Sequence, residues 1–205
     1  MKPCAIGFRV HSGWTSLVAV ALEKGDPVVL SRSRPHLVAT FSYTFRQPYH
    51  TAATMSLDEA EAFLKGQQDE SRRLAAEAIE SARSDVAQQG YKIARATVLT
   101  AAGRRLPDLA KILSAHSLIH SADGEFFREA LVHAAKASRL LVATIKERQL
   151  LAEAAAKLRR RPAALDNCVT QLGKPLGSPW TQDEKLATLA AWVVLCPGQV
   201  TVLKR

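Results

Sequence analysis

The spacing of apolar residues changes character at Ser56, and that change restricts the chain to folds that open with strands and continue with helices. From Ala5 to Val38 the pattern is strand-like. An apolar run from Leu17 to Leu22 meets Pro27-Val28-Val29-Leu30 across the turn Glu23-Lys24-Gly25-Asp26, which predicts a β-hairpin. Between Pro35 and Pro48, the stretch His36 to Tyr43 alternates loosely around Leu37, Val38, Phe41 and Tyr43 and predicts a third strand. Ser56 with Glu59 three residues on is a capping-box pattern, and the acidic groups Asp58 and Glu59 suit the first turn of a helix. A long helix is therefore expected over 57–90, with a core stripe through Leu74, Ala78, Ala82 and Val86 and a break at Gly66.

Gly90 ends that helix, and Tyr91 to Thr100, with Ile93, Val98 and Leu99, is apolar enough for a central strand. Pro107 introduces a short helix over 108–114, and Ser121 is the expected cap of a helix from Ala122 to Ser138. Leu140 to Ile145 reads as a buried strand and Glu147 to Arg161 as a helix closed by Pro162. Gly173, Pro175, Gly177 and Pro179 mark 163–180 as a loop with room for one short helix. Thr181 and Glu184 make a second capping box, and Val200 to Leu203 could supply an edge strand. The 205 residues are expected to form one domain, with the helix 57–90 and the loop 163–180 at its periphery.

Three antiparallel strands followed by strands added through helical crossovers define an α/β mixed sheet flanked by helices. That order resembles the ribonuclease H-like fold shared by RuvC-type nucleases and the halves of actin-like ATPases. The text from Ile6 through Gly13 and Trp14 to Val20, followed by Gly25-Asp26-Pro27-Val28-Val29-Leu30, is similar to the first hairpin of heat-shock chaperone ATPases. The resemblance covers about 26 residues in sequence and the rest by element order alone.

For nucleases of that fold, the resemblance implies carboxylates on the first strand, first long helix, fourth strand and last helix, holding two Mg²⁺ ions about 4 Å apart. Here the first-strand position is Arg9, a cation that repels Mg²⁺, and the fourth strand ends Val98-Leu99-Thr100-Ala101 without an acid. Glu59 or Glu61 and Asp183 or Glu184 remain as partial matches, and helix capping already accounts for such residues. The ATPase phosphate loop likewise relies on an acid at the Arg9 position, although Ser12, Gly13 and Thr15 could offer amides and hydroxyls to a phosphate.

The segment from His116 to Arg128 is the most function-like in the chain. On a helix, His116 and His120 face the same way, with Asp123, Glu125 and Arg128 close behind. Three readings use these residues. Two histidines and a carboxylate would hold a metal ion, or His116, His120 and Glu125 would serve acid–base chemistry in a hydrolase or transferase. Free amides with Arg128 would bind a phosphate. Capping and a Glu125–Arg128 pair would make the segment purely structural. Cys168 beside Asp166 and Asn167, the run Arg159-Arg160-Arg161, and Trp14 and Trp180 are weaker candidates with ordinary packing or helix-end roles.

Charge bears on the choice of partner. Of the net +9, residues 91–162 supply 14 basic against 6 acidic groups, a surplus attractive to phosphate. Three cysteines at wide spacing exclude a disulfide framework, and no apolar run is long enough to span a membrane, so a soluble cytoplasmic protein is expected. The leading expectation is a ribonuclease H-like protein that binds a phosphate-bearing ligand, nucleotide or nucleic acid, through Arg9, His11, Ser12 and Arg128, without two-metal cleavage. A His116- and His120-dependent hydrolase and a non-catalytic interaction scaffold are the alternatives.

Overall fold

The structure, a computed structural model, describes residues 1–101 and 105–196. The expected strand over 200–203 lies outside the described residues. Among the described residues, five strands form one sheet in the order β3-β2-β1-β4-β5. They are β1 (Lys2–His11), β2 (Trp14–Glu23), β3 (Asp26–Ser33), β4 (Tyr91–Thr100) and β5 (Leu141–Lys146). The first three pair antiparallel, while β4 lies parallel to β1 and β5 parallel to β4. Between β2 and β3, Lys24 and Gly25 both take positive φ (53° and 93°), the backbone that a two-residue hairpin turn requires.

The third antiparallel strand is β1, not 36–43. Leu37 and Val38 are both buried although adjacent, whereas consecutive residues of a strand point to opposite faces. The Leu37 amide donates to Gly13 O at 2.8 Å, and its carbonyl accepts from Ser71 Oγ at 2.8 Å, so the segment caps the β1–β2 turn as a plug. Two short helices follow, α1 (Tyr43–Arg46) and α2 (Pro48–Ala52).

Helix α3 (Leu57–Gln88) starts at the expected capping box, with the Ser56 amide donating to Glu59 Oε2 at 3.0 Å. It runs through Gly66 unbroken. That glycine faces open space, and its cost of about 1 kcal/mol is offset by the buried stripe Ala60, Leu64, Ser71, Ala75, Ile79, Ala82 and Val86. Leu74 and Ala78 sit one position off this stripe and are half-buried. Far from peripheral, α3 packs with α5 (His116–Ala137) over one face of the sheet, where Ile6, Phe8, Leu17, Ile79, Phe127 and Leu131 are buried together.

The short helix α4 (Leu109–Leu113) precedes α5 and is capped by Asp108. Helix α5 begins at His116, earlier than the expected start at 122. Ser121 is interior and returns its hydroxyl to Ser117 O at 2.9 Å, an i−4 bond that keeps it in the helix instead of capping it. After β5, a single 3₁₀ turn (Glu147–Gln149) leads into α6 (Leu150–Leu158), which Arg159 ends at φ 51°. Pro162 opens helix α7 (Pro162–Leu172) where it was expected only to close the preceding one, because its missing N–H is no loss at a first helical position. The stretch 163–180 is thus largely helical, anchored by buried Leu165 and Val169. Helix α8 (Gln182–Leu195) starts at the Thr181–Glu184 box and, with α6 and α7, covers the second face of the sheet around Val18, Val20, Ile145 and Trp192.

Candidate ligand site at the strand ends

On β1, Cys4, Ile6 and Phe8 face α3 and α5, so the alternation of the pleat sends Ala5, Gly7 and Arg9 toward α8. At Gly7 the helix lies directly on the strand: a Cβ there would stand 2.0 Å from Ala187 O. One helical turn before Ala187 is Asp183, and two residues beyond Gly7 is Arg9. The two meet, Arg9 Nη1 donating to Asp183 Oδ1. Glu147, just past the end of β5, completes the arrangement with a two-point contact, Nε to Oε2 at 3.2 Å and Nη2 to Oε1 at 3.0 Å. Burial works against the charge on Arg9, and the bonds to Glu147 and Asp183 outweigh it, so its pKa is raised and it stays cationic.

These groups lie at the carboxyl ends of the parallel strands β1, β4 and β5, where open α/β sheets offer their binding crevice. Arg9, Thr100, Arg128, Glu147 and Arg148 line a cavity of about 600 Å³ there. Arg128 also lines a neighbouring cavity of about 520 Å³ with Lys146 and Glu129, and one of about 630 Å³ with His120 and Glu125. It is held by Gly124 O at 2.5 Å and Glu125 Oε1 at 3.0 Å, and its Nε is buried with no hydrogen-bond partner among the described residues.

The structure brings together some of the residues singled out from sequence and separates others. His11 stands beside Arg9, its Nε2 2.9 Å from Arg9 Nη1 and 3.1 Å from Asp183 Oδ1, with its ring stacked on Trp14 at 4.2 Å. Ser12 lies in the β1–β2 turn, where its carbonyl accepts from Arg46 Nε at 3.1 Å. Neither lines the cavity shared by Arg9 and Arg128. Glu125 is taken up by its pair with Arg128. His116 and His120 do converge, Nε2 to Nε2 at 2.9 Å, but the third side chain beside them is His50 of α2 and not Glu125. Asp123 sits behind His50, its Oδ2 2.5 Å from His50 Nδ1 and its Oδ1 accepting the Tyr49 amide at 2.7 Å. Burial pushes the Asp123 carboxyl above its ordinary value, and those two bonds pull it only partly back. His50 and Glu147 had escaped the sequence reading, since neither belongs to a recognisable local motif.

The remaining candidates have structural roles. Glu59 is spent on its capping box, and Glu61 is exposed. Glu184 caps α8, its Oε2 accepting the Thr181 amide at 2.7 Å, and Oε1 accepts from Arg34 Nε at 2.7 Å. Burial raises the Cys168 thiol pKa, the opposite of activation. Arg160 pairs with Asp26 at 2.9 Å, and Trp180 donates Nε1–H to Val169 O at 2.9 Å. Among the described residues, no helix is long and apolar enough to cross a membrane.

As a donor set, the strand-end residues do not fit a pair of Mg²⁺ ions. Two carboxylates, Glu147 and Asp183, already share a resident guanidinium, and β4 ends in Thr100 and Ala101 with no anionic oxygen to add.

No family profile matches the chain, and no curated protein matches it. Among solved structures, Thermus thermophilus RuvC in complex with a Holliday junction substrate superposes with a TM-score of 0.51 at 12% identity, covering 93% of this chain and 90% of that one. Thermus thermophilus RuvC in a second structure gives a TM-score of 0.50 at 11% identity over 93% and 92% of the two chains. The fold is therefore ribonuclease H-like, a mixed five-stranded sheet between two helical layers. These likenesses do not carry the actin-like ATPase resemblance of the first hairpin.

Proposed function

We propose that the protein binds the phosphate backbone of a nucleic acid in the crevice between Arg9 and Arg128, and that it holds this ligand without two-metal cleavage. The observation that carries the reading is Arg9 itself. Its guanidinium lies between Glu147 and Asp183, so one of the two negative charges that would otherwise repel a phosphate is cancelled. Arg9 is thereby a partly neutralising residue, and Arg148, the part of the Arg128 guanidinium that Glu125 does not hold, and Lys146 in the adjoining cavity would meet phosphate oxygens. A polymer is favoured over a lone nucleotide by the basic surplus across 91–162 and by the RuvC structure of this fold that was determined with a DNA junction.

Fluorescence anisotropy with a labelled four-way DNA junction and a duplex of matching sequence tests this. Binding is expected to weaken steeply with added salt, and Arg128→Ala and Arg148→Ala are each expected to lose about tenfold in affinity and about one unit of salt slope. Salt-insensitive binding, or two variants that bind like the parent, would refute the proposed interface. Cleavage of either DNA in Mg²⁺ would refute the non-cleaving part alone.

A further inference from the structure

We infer that His50, His116 and His120 form a binding site for one divalent transition-metal ion of the zinc class, with Asp123 as the residue that positions His50. None of the three histidines lines the crevice between Arg9 and Arg128, although His120 shares a neighbouring cavity with Arg128, and the inference does not depend on the phosphate reading. Each histidine offers one ring nitrogen, and the three nitrogens lie within 4.8 Å of one another. Bonds of about 2.0–2.1 Å at tetrahedral angles place metal-bound nitrogens about 3.4 Å apart, so the observed cluster closes on an ion with only small side-chain rotations.

Three features favour a metal over three histidines that merely touch, and a fourth sets its class. The rings meet edge to face in all three pairs, at interplanar angles of 87°, 65° and 78°, and the three nitrogens are close together, with His116 and His120 Nε2 2.9 Å apart. His116 and His120 are one turn apart on α5, a rigid 22-residue helix, so two of the donors are set by backbone geometry. The third is set by Asp123. One oxygen of this buried carboxylate engages His50 Nδ1, and the other accepts the Tyr49 amide, clamping the backbone of α2 onto α5. A carboxylate on Nδ1 fixes the tautomer in which the other ring nitrogen, Nε2, carries the lone pair, the arrangement in which imidazoles bind zinc. Finally, the donors are all imidazole, which selects Zn²⁺, Ni²⁺ or Cu²⁺ over Mg²⁺ and Ca²⁺. His116 and His120 are exposed, leaving the fourth tetrahedral position open to solvent.

The test uses the full chain, stripped with chelator and titrated with Zn²⁺ alone against a chromophoric competitor. One equivalent is expected to bind. His116→Ala and His120→Ala are each expected to weaken binding at least about 100-fold, and Asp123→Asn by about 10- to 100-fold. With Co²⁺ in place of zinc, tetrahedral d–d bands should appear without a thiolate charge-transfer band. In the unaltered protein, Zn²⁺ should shift the ring ¹⁵N resonances of three of the six histidines, a readout that needs no variant to fold. The inference is overturned if no stoichiometric binding is seen, if the histidine variants bind like the parent, if the Co²⁺ spectrum shows thiolate ligation, or if the shifted histidines are not these three.

Discussion

Replacing Arg9 by methionine keeps the apolar stem and removes the cation between Glu147 and Asp183. The three side chains are 23%, 42% and 16% exposed, between the surface pairs worth about 0.2–1 kcal/mol and the buried pairs whose breakage costs about 3–5 kcal/mol. A loss of about 2 kcal/mol is expected, which for a chain of this size lowers Tm by about 4–8 °C. The same change should create a response that the parent lacks. Two carboxylates with no guanidinium between them, Asp183 keeping His11 alone beside it, form a hard-oxygen site, and Mg²⁺ at about ten times a millimolar Kd would return about 1.4 kcal/mol, or about 3–6 °C. Mg²⁺ is the right probe because it ignores imidazole, so the histidine cluster stays silent. The assay is thermal melting by circular dichroism of parent and Arg9→Met, each with and without 10 mM Mg²⁺, about ten times that Kd. If the variant melts within about 1 °C of the parent, or Mg²⁺ stabilises the two equally, Arg9 is not the internal counter-ion described above.

Two further outcomes test the frame around the site. Burial alone would raise the Glu184 pKa, but hydrogen bonds from Arg34 and Thr181 prevail and hold it at about 2, against an ordinary 4.5. Its stabilisation is therefore full above pH 4.5 and is lost as pH falls toward 2; discounted for the solvent-exposed side of Arg34, it amounts to about 2 kcal/mol. Urea unfolding should show Glu184→Gln less stable than the parent near neutral pH, with the gap closing in acid; a gap that is absent or independent of pH contradicts the assignment. At Gly7, an added Cβ would lie 2.0 Å from Ala187 O, where ordinary contact begins near 3.4 Å, so α8 must move by more than 1 Å. Gly7→Ala should cost about 1–3 kcal/mol and lower Tm by about 2–12 °C, and an unchanged Tm would mean that α8 does not rest on β1 as described.

What could be read from the sequence divides cleanly by range. The Lys24-Gly25 turn and the Ser56–Glu59 and Thr181–Glu184 boxes were readable because each is a contact between residues at most three apart, written in the side chains that make it. The misread stretches are those where a distant contact outweighs local pattern. Leu37 and Val38 imitate a strand, yet β1 already occupies the place beside β2, and they are buried as a plug over the turn. Ser121 looks like a cap, yet α5 begins at His116, more than a turn earlier. The site belongs to the same long-range class. His50 joins His116 and His120 because Asp123 and the packing of Tyr49 hold α2 to α5, and no spacing within Pro48-Tyr49-His50 announces it. Arg9 stood out as a cation at the end of an apolar strand, but its partners depend on which helix lies over that face. That is decided two residues earlier. Gly7 has no side chain, α8 settles onto its backbone, and the helical turn that this contact fixes carries Asp183 to the guanidinium. One of the two carboxylates at Arg9 is thus placed by the absence of a side chain at position 7.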